Sequence, residues 1–574
     1  MKELQFRPMT MADQNMVKEK LAYDNRDICE LTFGGNYAWS RFYSLEICEL
    51  YGCLLFRHKG SDETLYSFPL GDGDKRLVIQ CLLEICSKQG SDLAMYPLAP
   101  EDVEQLNEWF PRRFLSVINR DDSDYVYERE KLVRLPGKKY HGKRNHIARF
   151  KDKNDWCYEE ITDHNQSECR QMMHEWKKRR VADWNVEMEK EYRAMVISLE
   201  QRQELGLTGG LIRKAGKVVA MAMGEPLNSD TFVVHFEKAF SDIQGAYPMI
   251  NQQFAEHAAE GFTYINREED TGDEGLRKAK LSYYPCKLVH KYTARTSPVV
   301  NANLKIERDQ IIQLWQTCFE DGNFSDFYFK YHENNHQMLV IHEDDRVVSM
   351  ASFLETTIRI GEKEYPARYV YAVATHPDAR RRGYAGKILD CAKEVWDMPF
   401  LLSPATEKLY RYYEKFGFVR AFECQDHKPC MSFMFGASNQ WNFVTREISP
   451  EEYVKLRDRH FAEKELYVKW DQQAVEFAMC MNRQLGGKTL AVTTDAEHLS
   501  NKLELLMYYP EGKKLIIQET TLSDELLARV MPELLAETGT KDFVYRQEGG
   551  MIYLPPRLRD LELPKDGYLN FTLA

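Results

Sequence analysis

Apolar positions along the chain alternate between strand-like runs and helix-like spacing. The clearest example begins at Tyr369, where Val, Tyr and Ala continue to Thr375 and the run stops before Pro377, which has no N–H for a sheet ladder. Apolar residues then recur at helical spacing from Ala385 to Trp396, so one face of a helix that begins near Tyr384 is expected to pack on a sheet. The pattern predicts a buried strand, a short turn and a helix.

The turn between this strand and this helix is basic and contains glycine. At a helix N-terminus, unpaired N–H groups and the positive end of the helix dipole attract anions. Gly383 and Gly386 have no Cβ to keep a phosphate away, and Arg380, Arg381 and Arg382 add positive charge. A solvated basic turn before an ordinary amphipathic helix is the alternative, but the flanking strand and helix favour a phosphate site.

The same alternation organises the rest of the chain and predicts an α/β protein with mixed sheets. Its best boundary is the Thr-, Ser-, Pro- and Asn-rich junction 293–303. Near the N-terminus, Gly71-Asp-Gly-Asp precedes a helix, and we interpret Asp74 as a helix cap because two aspartates would repel a phosphate. The predicted domains are 1–150, 151–294, 303–435 and 440–574, and the last contains a terminal strand from Tyr568.

Composition narrows the function classes. The 574 residues carry a net charge of −12, from 77 basic and 89 acidic side chains, which argues against general coating of nucleic acid or membrane. The thirteen cysteines show neither Cys-x-x-Cys pairs nor zinc spacing, so no disulfide framework and no metal site is expected. The N-terminus lacks the apolar core of a signal peptide and no run is long enough to span a bilayer, so a cytoplasmic location is expected.

One local exception to the acidic balance is the segment 138–153, which is the most basic part of the chain. Such a segment is commonly a solvated face. It could also be a groove for phosphates, either of RNA, including tRNA, or of a lipid head group.

The turn, with its spacing Arg380-x-x-Gly383-x-Ala385, resembles the acyl-CoA motif of the GNAT superfamily of N-acetyltransferases. The order of predicted elements in 303–435, which is helix, hairpin, strand, turn, helix, strand and helix, also resembles this superfamily. So does the signature from Tyr413 to Phe418. The resemblance implies that acetyl-CoA is the acyl donor, with the pantetheine arm beside the backbone of two strand residues and the pyrophosphate in the turn. The implied cofactor-binding residues are Val373, Thr375, Arg380, Arg381, Arg382, Gly383, Tyr384, Ala385 and Gly386.

By the same resemblance, Tyr413 would protonate the departing thiolate, although a tyrosine at this position could instead pack in the core. No general base is evident, and Glu355, Glu407 or a water relay could serve. In the similar enhanced intracellular survival acetyltransferases the terminal carboxylate is the base, which makes Ala574 a further hypothesis.

Residues 1–294 resemble the C-terminal part of phosphatidylglycerol lysyltransferases, which is a pair of acetyltransferase-like lobes related to the Fem aminoacyl transferases. The matching motifs include Gly142-Lys-Arg-Asn-His-Ile-x-Arg-Phe150, His235-x-Glu-Lys-Ala and Ile265-Asn-Arg-Glu-Glu-Asp. The polar cluster from Asn266 to Lys280 is either a substrate cleft or a salt-bridged loop. The implied fold is a tandem of acyl-CoA N-acyltransferase-like lobes with a C-terminal α+β lobe that is a degenerate copy or a cap.

The leading functional hypothesis is an acetyl-CoA-dependent N-acetyltransferase whose acceptor is a small-molecule, peptide or protein amine. The second is an aminoacyl-tRNA-dependent transferase that works through residues 1–294. The third is a non-catalytic multi-lobe binding protein, against which the intact turn and Tyr413 argue. Sequence does not give the acceptor, because acceptor specificity lies in loops that differ freely on one fold.

Overall fold

The computed structural model describes residues 4–60, 63–319, 324–332, 337–423, 425–427, 443–494, 503–547, 549–564 and 567–570. The chain divides into two units, Met1–Ser297 and Pro298–Ala574. No helix in these described ranges is both long enough and apolar enough to cross a lipid bilayer.

Two sheets build the first unit. Its elements are β1 (Arg7–Pro8), α1 (Gln14–Asp24), α2 (Phe33–Trp39), β2 (Leu45–Leu50), β3 (Cys53–Lys59), β4 (Thr64–Tyr66), α3 (Lys75–Gln89), β5 (Ala94–Leu98), α4 (Pro100–Trp109), β6 (Phe114–Ile118), β7 (Asp124–Glu128), α5 (Arg129–Arg134), α6 (His141–Lys153), β8 (Trp156–Glu160), α7 (Gln166–Arg179), α8 (Val186–Glu200), α9 (Arg202–Leu205), β9 (Thr208–Lys214), β10 (Lys217–Pro226), β11 (Thr231–Ala239), α10 (Ala246–His257), β12 (Tyr264–Asn266), α11 (Glu274–Leu281), β13 (Lys287–Val289) and β14 (Tyr292–Thr296).

The first lobe is the sheet β1-β2-β3-β4-β5-β14-β6 with its helices, and the second lobe is the sheet β13-β7-β12-β11-β10-β9-β8 with its helices. The first lobe is completed by a strand that the chain forms only after the second lobe. β14, which follows the second lobe in sequence, lies between β5 and β6 of the first. The strands of the second lobe, β7 to β13, are continuous in sequence and lie between β6 and β14 in the chain.

The second unit is also built on two sheets within its described residues. Its elements are β15 (Val299–Asn301), α12 (Leu304–Cys318), α13 (Phe324–His332), β16 (Met338–Glu343), β17 (Arg346–Ile360), β18 (Lys363–Thr375), α14 (Tyr384–Val395), β19 (Phe400–Leu402), α15 (Glu407–Glu414), β20 (Val419–Phe422), β21 (Gln425–His427), β22 (Val444–Glu447), α16 (Pro450–His460), β23 (Leu466–Lys469), α17 (Gln472–Gln484), β24 (Lys488–Thr493), β25 (Glu504–Glu511), β26 (Lys514–Thr520), α18 (Asp524–Thr538), β27 (Asp542–Gln547) and β28 (Gly550–Tyr553).

The third lobe is the sheet β15-β16-β17-β18-β19-β28-β20, to which β23 adds beside β17, and the fourth lobe is the sheet β21-β27-β26-β25-β24-β22. The late return of one strand recurs here. β28 follows the fourth lobe in sequence but lies between β19 and β20 of the third. In this respect the two units have the same strand connectivity.

A connection of strand, helix and parallel strand recurs in each lobe. The crossovers are β4-α3-β5, β11-α10-β12, β18-α14-β19 and β26-α18-β27. α14 shows why the sequence folds this way, because Ile388, Leu389 and Ala392 share its buried face while Lys387 and Asp390 are exposed. The expected α/β class with mixed sheets and tandem acyltransferase-like lobes is confirmed.

The predicted terminal strand from Tyr568 is wrong for the described residues. Gly567 and Tyr568 form only isolated bridges, to Phe422 and Tyr467. The strand that completes the third lobe is β28, whose pairing partners lie about 130 to 150 residues earlier in the chain. Residues 571–574, including Ala574, lie outside the described residues.

Candidate functional site

The third lobe has a strand edge that diverges from its neighbour. β18 pairs in parallel with β19 only at Arg368 and Tyr369, which lie opposite Phe400 and Leu401. Beyond Tyr369, β18 continues to pair with β17, and the register between those strands shifts near Ala372, whose φ is +50°. A bulge of this kind bends the strand. Residues 371–373 are only half-buried, so this edge leaves main-chain groups available for a ligand.

The predicted phosphate turn follows directly after this edge. Residues Pro377–Ala379 form a single 3₁₀ turn, and Gly383 is the N-cap of α14 with φ +81°. No side chain caps this helix, and its first recorded backbone bond is from the Lys387 N–H to the Gly383 carbonyl at 2.9 Å. A Cβ on Gly383 would meet nothing within 4 Å. The N–H groups of the first turn therefore have no side-chain cap among the described residues, and the space beside Gly383 is open to an anion.

The three arginines of the turn have different surroundings. Arg382 donates to the Glu343 carboxylate at 2.8 and 2.9 Å and to the Asp378 carbonyl at 3.1 Å. Arg380 donates through Nε to the Thr375 carbonyl at 3.2 Å. Arg381 is exposed, has φ +66° and forms no ion pair with any described residue. Arg381 is thus the guanidinium that is most available to an incoming anion.

Glu343 is a residue that the sequence reasoning missed. This carboxylate on β16 accepts hydrogen bonds from the Arg382 guanidinium and from the Tyr384 hydroxyl, and those bonds lower its pKa. It fixes the side chains on either side of Gly383. No local sequence signal marks it, because it lies about 40 residues before the turn and meets it only through the pairing of β16 with β17.

Tyr413 lies on α15 and is 7% exposed. Its ring packs edge-on against Tyr412 and Phe418, with centroids 5.3 and 5.8 Å away. Burial raises the pKa of its phenol well above the usual range, so the hydroxyl keeps its proton at neutral pH. At neutral pH this group is therefore a proton donor, and its donation to a leaving thiolate would need a short, well-aligned hydrogen bond.

The remaining predicted residues lie at the mouth of the diverging edge. Val373 is half-buried, and the Thr375 hydroxyl is 2.9 Å from the Ser349 hydroxyl on β17. The two suggested general bases, Glu355 and Glu407, are exposed, and each already has a hydrogen-bond partner. Glu355 contacts Gln337 at 2.5 Å, and Glu407 accepts from Arg420 at 2.5 Å.

The N-termini of the crossover helices in the first and fourth lobes are capped by side chains of their own N-cap residues. The Asp74 carboxylate accepts the Leu77 N–H at 2.9 Å, which confirms its predicted role as a cap. The Ser523 hydroxyl accepts the Leu526 N–H at 3.3 Å. An anion at either helix would have to displace a cap, and at Asp74 it would also meet a negative charge.

The second lobe has a glycine N-cap but a covered one. Gly245, with φ +88°, precedes α10 without a side-chain cap. A Cβ on Gly245 would lie 2.5 Å from the His146 carbonyl oxygen and 3.0 Å from Phe150, both on α6. Among the described crossover helices, the third lobe is the one whose N-terminus is neither capped by a side chain nor covered by another element.

The diverging edge of the second lobe is also filled. β11 pairs with β12 only as far as Val233, and His235 follows on the free part. Its Nε2 is 3.0 Å from Glu225 and its Nδ1 is 2.7 Å from Glu268. Burial alone would lower the pKa of His235, but the two carboxylates outweigh it and raise the pKa to about 10. A charged imidazolium, paired with two carboxylates, thus lies on this part of β11.

The polar cluster from Asn266 to Lys280 proves to be internally paired. Arg267 binds Glu237 at 3.1 Å, Asp270 binds Arg277 at 2.7 Å, and the Lys280 ammonium donates to the carbonyls of residues 267 and 268 at 2.7 and 3.1 Å. Of the two predicted alternatives, the described geometry is that of a salt-bridged loop.

One group of side chains in the first unit has the donor atoms of a metal site. The Cys29, Asp124 and Glu269 ligand atoms lie within 4.8 Å of one another. The fully buried Lys291 ammonium lies among them, 2.9 Å from Asp124 and 3.3 Å from Glu269. A lysine ammonium already supplies the positive charge there, so the donor set does not fit a resident metal ion.

The basic segment 138–153 forms a 3₁₀ turn, Lys138–Tyr140, followed by α6. Lys138, Lys139 and Arg149 are exposed and form no ion pair with described residues. The Lys139 ammonium lies 4.4 Å from the centroid of the exposed Tyr284 ring, and Lys143 lies 4.1 Å from that of Tyr283. The segment is thus an unneutralised cationic surface with aromatic rings beside it.

Comparison with known proteins matches both units. Residues 24–295 match the family described as phosphatidylglycerol lysyltransferase, C-terminal, and residues 304–421 match the acetyltransferase (GNAT) domain. The chain therefore carries a lysyltransferase C-terminal domain followed by a GNAT domain, as its motifs predicted. Together these domains mark a transferase of acyl or aminoacyl groups.

Solved structures similar to the chain include a conserved protein of unknown function from Bacteroides thetaiotaomicron VPI-5482, which is 37% identical, covers 51% of this chain and 100% of its own, and has a TM-score of 0.49. L-PGS from Bacillus licheniformis is 15% identical over 55% of this chain and 99% of its own, with a TM-score of 0.38. Eis1 from Mycobacterium abscessus is 11% identical over 45% and 74%, with a TM-score of 0.34. No curated protein sequence matches this chain.

Proposed function

We propose that the third lobe transfers an acetyl group from acetyl-CoA to the nitrogen of a primary amine. The observation that supports this proposal is the open N-terminus of α14 directly after the free edge of β18. A GNAT domain uses acyl-CoA donors in general, and the choice of acetyl-CoA is part of the proposal.

The turn binds the donor. The N–H groups around Gly383 and Ala385 would bind the pyrophosphate with the helix dipole behind them, and Arg381 would add a charge-assisted hydrogen bond. The conformation of this turn would be maintained by the other predicted binding residues, Arg380, Arg382, Tyr384 and Gly386. The Arg382–Glu343 pair fixes the turn before the ligand arrives, which lowers the entropy cost of binding.

The strand edge orients the reactants. Main-chain groups of Val373 and Thr375 would bind the pantetheine arm and stabilise the oxyanion that forms when the amine attacks the thioester carbonyl. Attack forms the C–N bond, and collapse of the tetrahedral intermediate breaks the C–S bond. The departing sulfur takes a proton from the Tyr413 hydroxyl, which burial keeps protonated until then. The proton that the amine nitrogen loses returns to the phenolate through a water relay, so the products are the amide and the thiol.

The proposal is tested by titration calorimetry of the full chain with acetyl-CoA. Gly383→Glu places a carboxylate in the turn, and we expect it to weaken binding by more than 100-fold. Gly539→Glu is the matched control, because Gly539 has φ +68°, ends α18 and also has nothing within 4 Å of its Cβ position. Equal affinity for both variants, or no binding by the natural chain, would refute the assignment.

A second candidate function concerns the first unit. Its cationic surface at 138–153 is that expected of a tRNA-binding face, which an aminoacyl-tRNA-dependent transferase would need. We expect such binding to weaken steeply between 50 and 200 mM salt, as for other phosphate-contacting proteins. Filter binding of bulk tRNA to the natural chain and to Lys138→Gln/Lys139→Gln tests it, and equal retention by both would exclude this surface.

A further inference from the structure

The free part of β11 in the second lobe carries a group of polar side chains beyond His235. Glu237 lies on this part of the strand, Arg267 directly follows β12, and Asn251 lies on α10, the helix that connects the two strands. The carboxyl ends of two parallel strands and their crossover helix therefore meet at this group. Ligands of α/β sheets commonly bind at such strand ends.

One carboxylate orients two of these side chains. The Glu237 carboxylate accepts from Arg267 Nη2 at 3.1 Å and from the Asn251 amide nitrogen at 3.1 Å. Arg267 Nη1 and Asn251 Oδ1 are buried, and neither has a hydrogen-bond partner among the described residues. Asn251 is 5% exposed and the Arg267 side chain is 13% exposed. Because buried donors and acceptors without partners cost free energy, this pair is suited to a polar ligand.

The group also has an excess of positive charge. The Lys143 ammonium of α6 lies 4.1 Å from the centroid of the Tyr283 ring, and the Arg267 guanidinium lies 5.2 Å from the same centroid. Lys143 forms no hydrogen bond or ion pair with a described residue, and burial together with the Arg267 charge lowers its pKa. Two cations thus share one carboxylate, Glu237. Lys143 is only half-buried, so the group reaches solvent on the α6 side.

We propose that Arg267, Asn251 and Lys143 bind a monoanionic carboxylate that carries a neutral N–H or O–H donor on the adjacent carbon. The carboxylate accepts from Arg267 Nη1 and from the Lys143 ammonium, and the donor binds Asn251 Oδ1. A single excess positive charge matches a monoanion better than a phosphate dianion, and a neutral donor avoids the repulsion that an ammonium would meet beside two cations. N-acylated α-amino acids and α-hydroxy acids have this chemistry. The site is independent of the acetyl-CoA function proposed for the third lobe.

Titration calorimetry of the full chain with N-acetyl-L-alanine and with L-lactate tests this proposal. We expect both to bind, and the tighter of the two shows which donor the site prefers. N-acetyl-L-alanine amide, which lacks the carboxylate, and acetate, which lacks the donor, should bind at least about ten-fold more weakly, since each loses a contact with a buried polar group.

Matched substitutions on α6 locate the site. Lys143→Gln should weaken binding of N-acetyl-L-alanine about ten-fold, because it removes one charge-assisted contact, whereas Lys143→Arg should retain the affinity. Lys151→Gln removes the same charge from the same helix, where the ammonium lies beside Trp156 instead, and should bind like the natural chain.

Three results would overturn the proposal. If N-acetyl-L-alanine and its amide bind equally well, the two cations do not recognise a carboxylate. If Lys143→Gln keeps the natural affinity, the ligand binds elsewhere on the chain. Absence of binding by both N-acetyl-L-alanine and L-lactate would mean that the unpaired groups of Arg267 and Asn251 do not form a site for this class of ligand.

Discussion

The second and third lobes carry the same strand, turn and helix, and they treat the turn in opposite ways. Gly245 and Gly383 are both left-handed glycine N-caps without side-chain caps, at φ +88° and +81°. At Gly245 the α6 backbone fills the space that a ligand would need, whereas at Gly383 the space is empty. The motif alone is therefore not sufficient for a nucleotide site. Whether a ligand has room to bind depends on which element packs over the turn.

The strand edges differ in the same sense. In the second lobe, His235 is clamped between Glu225 and Glu268 on the free part of β11. In the third lobe, Tyr371 at the matching position packs against Trp315 and Tyr328, and the residues that follow, Ala372 and Val373, are half-buried. We infer that the second lobe uses the His235 position for stability and that the third lobe keeps the residues after Tyr371 for a ligand.

The largest expected effect is a difference in stability between two matched substitutions. Gly245→Ala adds both left-handed strain and a Cβ 2.5 Å from the His146 carbonyl oxygen, so we expect it to cost about 3 to 5 kcal/mol of unfolding free energy. Gly383→Ala adds the strain alone, at about 1 to 2 kcal/mol. Urea unfolding measures both, and equal costs would mean that the two turns are equally covered.

Tyr413→Phe tests whether the third lobe uses its buried phenol chemically. We expect kcat to fall about 100-fold with the KM for acetyl-CoA unchanged, because general acid catalysis typically contributes 10²- to 10⁴-fold. Thiol release from acetyl-CoA with a set of primary amines measures it. Tyr410→Phe removes a hydroxyl from the same helix and should leave kcat unchanged. Full activity of Tyr413→Phe would reduce this tyrosine to core packing.

The clamp in the second lobe predicts a pH dependence of stability. The pKa of His235 is raised to about 10, so its contribution is complete below the unfolded value near 6.5 and is lost as pH rises through 10. The unfolding free energy of the natural chain should therefore fall by a few kcal/mol between pH 6.5 and 10, relative to His235→Gln. The exposed His174→Gln should follow the natural chain. Parallel curves for the natural chain and His235→Gln would show that no such charge is buried there.

A smaller effect is expected at the turn itself. Arg381→Gln should weaken acetyl-CoA binding about 5- to 10-fold, since it removes one charge-assisted contact with a phosphate. Arg559→Gln changes the net charge equally and should have no effect on calorimetric affinity. Unchanged binding in Arg381→Gln would mean that the main-chain donors act without this arginine.

Local sequence patterns predicted the parts of the third lobe that depend on neighbours in the chain. The run from Tyr369, the turn at Gly383 and the amphipathic α14 follow from spacing alone, and so does the Asp74 cap. The returning strands β14 and β28 did not follow, because each is short and its partners are distant in sequence. The Glu343 contacts and the α6 cover over Gly245 likewise arise only from tertiary packing.

Hydrogen exchange read by mass spectrometry, with and without saturating coenzyme A, tests the central claim most directly. The claim is that, among the described crossover turns, the one in the third lobe binds the nucleotide. It predicts slowed exchange in peptides that cover residues 380–390, with no change in peptides that cover residues 243–250. Protection at 243–250, or none at 380–390 under saturating ligand, would contradict it.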